Sequence, residues 1–78
     1  MLNREAQGAE RMTVEEVAER LKIISDYARR HDHESAHAIE DDLYRDVLRA
    51  ISHGAENAAD LARSALATQE MTFERWCA

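Results

Sequence analysis

The sequence predicts an all-α protein, a small bundle of two longer antiparallel helices with a short third helix and a C-terminal helical turn. Three observations carry this. There is no proline and there are only two glycines in 78 residues, so few positions break a helix. Alanine is abundant and β-branched residues are sparse. Apolar residues recur at three- and four-residue steps, with no two-residue alternation of the kind a strand needs.

Residues 1–12 carry charges, Gly8 and no apolar stripe, and read as a flexible tail ahead of a single domain over residues 13–78. Helix formation is expected to begin at Thr13. Thr13 and Glu16 have the spacing of a capping box, in which each side chain satisfies a backbone N–H of the first turn, and Met12 and Val17 have the spacing of a hydrophobic staple. Val14, Val17, Ala18, Leu21, Ile24 and Ala28 then share one face, predicting a first helix over about 13–30.

His31 to Glu34 interrupt the pattern, and Asp32 has the chemistry of a cap for a second helix over about 33–53. Its stripe is Ala36, Ile39, Leu43, Val47, Ala50 and Ile51, and Gly54 ends it. The stripe stays in phase across residues 31–33, so one long helix from 13 to 53 is the alternative to the favoured turn. Asn57 and Asp60 open a third helix of about 57–68, whose face is Ala58, Leu61, Ala62, Ala65 and Leu66. Thr72 is placed to cap a last turn, with Met71, Phe73 and Trp76 pinning the terminus.

Composition bounds the function. The 16 acidic and 10 basic residues give a net charge of −6, which argues against direct binding to nucleic acid. No apolar run approaches the roughly 18 residues of a membrane span, and no signal sequence is recognisable, so a soluble, cytoplasmic protein is expected. Cys77 is the one cysteine, which leaves no intramolecular disulfide. With 14 alanines among the hydrophobic residues the core is thin, and chains of this size often gain stability by self-association, so a homo-oligomer is expected.

The most conspicuous motif is His33-Glu34-Ser35-Ala36-His37, an H-E-x-x-H pattern that sets two histidines on one helical face. The match is weak for a zinc hydrolase. It lacks a defined third ligand, since nothing selects among Glu56, Glu70 and Glu74, and the chain offers no strand for a cleft. Glu34 and His37 also form the Glu-x-x-His pair of di-iron bundles, with Glu40 or Asp41 one turn on, but such a centre needs a second pair from another copy. His33, Glu34, His37 and Asp41 are therefore candidate metal ligands only. The plainer account makes them polar residues at a helix junction, with no cofactor. No serine lies in a nucleophile elbow and no glycine-rich phosphate loop is present, so no catalytic residue is assigned and no enzymatic activity is expected.

Tyr44 and Leu48 widen the apolar face of the second helix beyond what one neighbouring helix covers. Leu43, Tyr44, Val47, Leu48 and Ile51, with Phe73 and Trp76, thus form the expected interaction face of a non-enzymatic module that binds a protein partner or its own copy. A second reading is an acidic decoy for a nucleic-acid-binding protein, through Glu15, Glu16, Glu19, Asp41, Asp42 and Asp46.

The stretch Glu40-Asp41-Asp42-Leu43-Tyr44-Arg45-Asp46-Val47-Leu48-Arg49-Ala50-Ile51, then Gly54, an alanine-rich segment and the closing Phe73-Glu74-Arg75-Trp76-Cys77-Ala78, resembles small helical proteins encoded by bacteriophages and prophages. The resemblance covers residues 31–78. It implies a protein that binds a host or phage protein and alters its activity, and it carries over no functional residue.

Overall fold

A computed structural model describes residues 12–75, in the order α1 (Val14–Arg29), α2 (His33–Ser52), α3 (Ala58–Ala65) and a 3-10 helix (Leu66–Glu70). The expected tail before Met12 and the side chains of Trp76 and Cys77 lie outside the described residues.

The start of α1 follows its sequence. The Thr13 hydroxyl accepts from the Glu16 N–H at 3.1 Å, and the Glu16 carboxylate accepts from the Thr13 N–H at 2.9 Å. Met12 and Val17 are both buried in the core, as a staple requires, so the packed domain includes Met12.

Two helices, and not one, occupy residues 13–53, because α1 closes on a left-handed residue. His31 has φ +63°, the Asp32 N–H reaches the Tyr27 carbonyl at 2.9 Å, and the His31 N–H reaches Ala28 at 3.0 Å. These are the two bonds of a Schellman cap. The end of α2 repeats them, with Gly54 at φ +86° and bonds from Ala55 to Ala50 and from Gly54 to Ile51. Glycine occupies that conformation without a Cβ penalty, whereas His31 does not. His31→Gly is therefore expected to raise stability by about 1 kcal/mol, read as a higher urea midpoint at unchanged m-value. Asp32 then caps α2 by accepting from the Ser35 N–H at 3.2 Å.

With so short a turn, α1 and α2 run antiparallel, and Arg20 pairs across them with Asp46 at 2.6 Å. Val17 and Ile24 of α1, Ala36, Leu43, Val47 and Ala50 of α2, and Leu61 and Ala65 of α3 meet in one core, closed by Met12 and Phe73. The third helix packs across both long ones.

Two local expectations change. Asn57 makes no side-chain cap for α3; its amide donates instead to the Met12 carbonyl at 3.3 Å, tying the α2–α3 loop to the start of the domain. Thr72 caps no turn among the described residues, because the C-terminal helical turn comes earlier, as the 3-10 helix, and Thr72 to Arg75 are non-helical.

Candidate functional site

Two features stand out on α2, a buried polar network toward its start and an apolar groove toward its end. Glu40 lies on the core stripe between Ala36 and Leu43 and is only 2% exposed. A carboxylate there is costly unless paired. Arg75 supplies the pairing as a fork, with Nε donating to Oε1 at 2.8 Å and Nη2 to Oε2 at 3.1 Å. The same Nη2 donates to the Thr68 carbonyl at 2.8 Å, and the guanidinium lies 3.8 Å from the centre of the buried Phe73 ring. Burial alone would raise the Glu40 pKa. Hydrogen bonds from Arg75 and Thr68, and the charges of Arg75 and His37, outweigh that effect and hold it below its ordinary value of 4.5.

Tyr44 extends the network. Its hydroxyl meets that of Thr68, lies 3.5 Å from Glu40 Oε2 and accepts from the Gln69 amide at 2.8 Å. These bonds fix the 3-10 helix against α2 and hold the Tyr44 ring in place.

The ring is one wall of the groove. Tyr44, Val47, Leu48 and Ile51 of α2 face Ala62, Ala65 and Leu66 across a cavity of about 240 Å³. Every lining side chain except Tyr44 is wholly aliphatic, and the Tyr44 hydroxyl is engaged elsewhere. Leu48 is 65% exposed and Leu66 58%, the two most exposed large apolar residues among those described.

The expected interaction face is thus divided by the fold. Tyr44, Leu48 and Ile51 remain at the groove, Val47 forms its floor, and Leu43 and Phe73 are core residues that support the face without presenting themselves. Leu66, expected on the packing face of the third helix, joins the groove instead. Trp76 lies outside the described residues.

The candidate metal ligands are divided as well. His33 Nδ1 accepts from the Glu74 N–H at 3.0 Å, holding the C-terminal segment to the start of α2, and Glu34 is exposed. The His, Asp and Glu groups that do converge among the described residues are His37, Glu40 and Asp41, with donor atoms within 4.8 Å of one another. They fit a cation poorly. Both Glu40 oxygens are held by a guanidinium that would repel it, and Asp41 sits 3.5 Å from His37 Nε2. His37 Nδ1 is buried without a hydrogen-bond partner, 3.9 Å from Glu40 Oε1. The acidic face proposed as a decoy is partly neutralised: Asp42 pairs with Arg45, Asp46 with Arg20, and Glu16 is spent on its cap.

No helix among the described residues is long and apolar enough to cross a membrane. The fold and site together define a small all-α protein whose distinguishing surface is an interhelical apolar groove. No protein-family model, curated protein or solved structure matches the chain.

Proposed function

We propose that this chain is a non-enzymatic protein-interaction module that works through the groove between α2 and α3. The observation carrying this reading is the pair of exposed leucines, Leu48 and Leu66, on opposite walls of an aliphatic cleft. Scattered apolar side chains are ordinary on a protein surface, whereas a contiguous set around a concavity marks a contact site. The buried network supports the same reading, since it braces Tyr44 and limits the ordering a partner must impose. Modulation of a host or phage protein is the setting that the phage resemblance implies for such a module.

A photo-crosslinking amino acid placed at Leu48, and separately at exposed Glu34 beyond the groove, tests the proposal in cells. Discrete adducts at position 48, absent at position 34 and absent from position 48 when Leu66→Asp is added, are the expected result. Equal labelling at both positions, or none at position 48, would overturn it. Leu66→Asp changes an exposed side chain and should alter stability by no more than about 0.5 kcal/mol, so loss of adducts is separable from unfolding.

A further inference from the structure

We infer that the groove takes an amphipathic helix whose apolar stripe is flanked by carboxylates, an acidic partner for a protein that is itself acidic. The inference rests on the groove being the contact surface and specifies what fills it.

Shape comes first. From Tyr44 to Ile51 the α2 wall runs about 10 Å, two helical turns, and the facing wall, Ala62 and Ala65 of α3 with Leu66 at the start of the 3-10 helix, about one turn. A cleft of about 240 Å³ lies below the roughly 300–1,000 Å³ of small-molecule sites. The longer wall, two turns of α2, instead suits apolar anchors at i, i+3 or i+4, and i+7 of a helix laid along it, with the shorter wall closing one side.

Charge then selects the flanks. Measured around α2 at about 100° per residue, Arg45 stands about 60° from Leu48 and Arg49 about 100°, both on the side away from the core. On α3, Arg63 stands about 60° beyond the direction of Leu66, the residue that caps that helix. Arginines therefore border both walls. Their acidic partners sit farther out: Asp42, bonded to Arg45 at 2.7 Å, and Asp60, bonded to Arg63 at 3.1 Å, are each a further step of about 60° from the groove. Arg49 has no ion pair among the described residues. The nearest acid on this flank, Asp41, stands about 20° round from Leu48 but two turns back along α2, before the groove begins at Tyr44, where it pairs with His37 at 3.5 Å. The net charge of −6 taken alone would favour a basic partner. Screening over about 8 Å at physiological salt leaves the choice to the nearby arginines.

A second copy suits the groove less well. Two grooves face to face would set arginine borders against each other. The floor, roughly 10 Å by 10 Å from the helix dimensions, is far below the roughly 800 Å² per partner of a standard stable interface. Among the described residues, the remaining exposed large apolar one, Ile23, is a single knob at 43% exposure, with Arg29 at the end of the same helix and Arg30 at its cap.

Two labelled peptides test the inference against the full chain at 0.15 M salt. They share leucines at i, i+3, i+4 and i+7 on an alanine helix and differ only in carrying glutamate or lysine at the flanking positions. The glutamate peptide should bind at least about tenfold more tightly by fluorescence anisotropy, a difference of about 1.4 kcal/mol. Arg45→Glu with Arg49→Glu should erase or invert that preference, and Leu48→Asp should abolish binding of both peptides with helicity retained. Equal or tighter binding of the lysine peptide, still abolished by Leu48→Asp, would overturn the acidic partner and leave the groove as the contact surface. Failure of both peptides to bind would overturn the inference, and position-48 crosslinking would then decide the contact surface separately. A dimer in sedimentation equilibrium that Leu48→Asp dissociates would assign the groove to a second copy, and would overturn it too.

Discussion

Arg75→Ala is expected to lower stability by about 3 kcal/mol at pH 7, most of the roughly 3–5 kcal/mol that a chain of this size retains. The loss exceeds that of an ordinary surface ion pair because Glu40 stays behind, 2% exposed, with its charge uncompensated. Three further carbonyl contacts go with the guanidinium, to Thr68 at 2.8 Å, to Phe73 at 3.3 Å and to Met71 at 3.5 Å, so the end of the 3-10 helix loosens as well. Replacing both partners, as Glu40→Leu with Arg75→Leu, should recover most of the loss, since no buried charge then remains. Chemical denaturation followed by circular dichroism measures all three proteins, and an Arg75→Ala variant within about 0.5 kcal/mol of the parent would show the fork to be unimportant.

The same pair sets an acid limit. Folded Glu40 holds its proton less tightly than the unfolded chain does, so its contribution is fully present above the ordinary value of 4.5 and is lost as pH falls through the lower folded value. The parent should therefore lose more stability than Glu40→Gln on going from pH 6 to pH 3. Parallel curves for the two proteins would contradict the assignment. Because Tyr44 hangs from this network, Arg75→Ala should also weaken groove binding before the protein unfolds.

Much of the architecture is legible locally and much of the site is not. Thr13, Glu16, Met12 and Val17 announce the start of α1 because every one of those contacts is made within five residues. Gly54 announces the end of α2 for the same reason. The turn at residues 31–33 is harder to read, since a histidine fills the place where glycine signals a left-handed cap, and a continuous helix keeps the same apolar phase. Asn57 is misleading in a different way: its amide could cap α3, but a carbonyl 45 residues away takes it, and no local pattern encodes that distance.

The width of the α2 face is legible, but its division is not. Phase puts Val47 on the stripe and Leu48 about 100° round from it, but only the position of α3 decides that Leu48 and Tyr44 become walls of a groove with Leu66 opposite. Glu40 did carry a signal, a carboxylate standing on the stripe of Ala36, Leu43 and Val47. What the sequence lacks is any mark that its partner is Arg75, on a segment with no regular structure of its own. The H-E-x-x-H pattern lies at the end of α2 that carries the polar network, away from the groove: His33 holds the returning chain, and His37 lies 3.9 Å from the buried Glu40.

Leu61→Ala is expected to cost about 3–4 kcal/mol and leave little folded protein. Eight residues are too few for a helix to persist alone in water, so α3 exists by docking. Its docked face is Leu61 and Ala65, both buried, and Leu61 is the one large side chain of the two. Truncating it leaves a cavity in the core that all three helices share, and an alanine helix has no other large apolar side chain to offer that core. Leu66→Ala removes as many atoms from a side chain that is 58% exposed, and should change stability by no more than about 0.5 kcal/mol. The two variants therefore separate stability from recognition, five residues apart. Denaturation should find the first severely destabilised and the second close to the parent, while peptide binding should be lost in both. A well-folded Leu61→Ala would mean that α3 is held by something other than this side chain, and a Leu66→Ala variant that binds at full strength would remove that wall from the proposed recognition site.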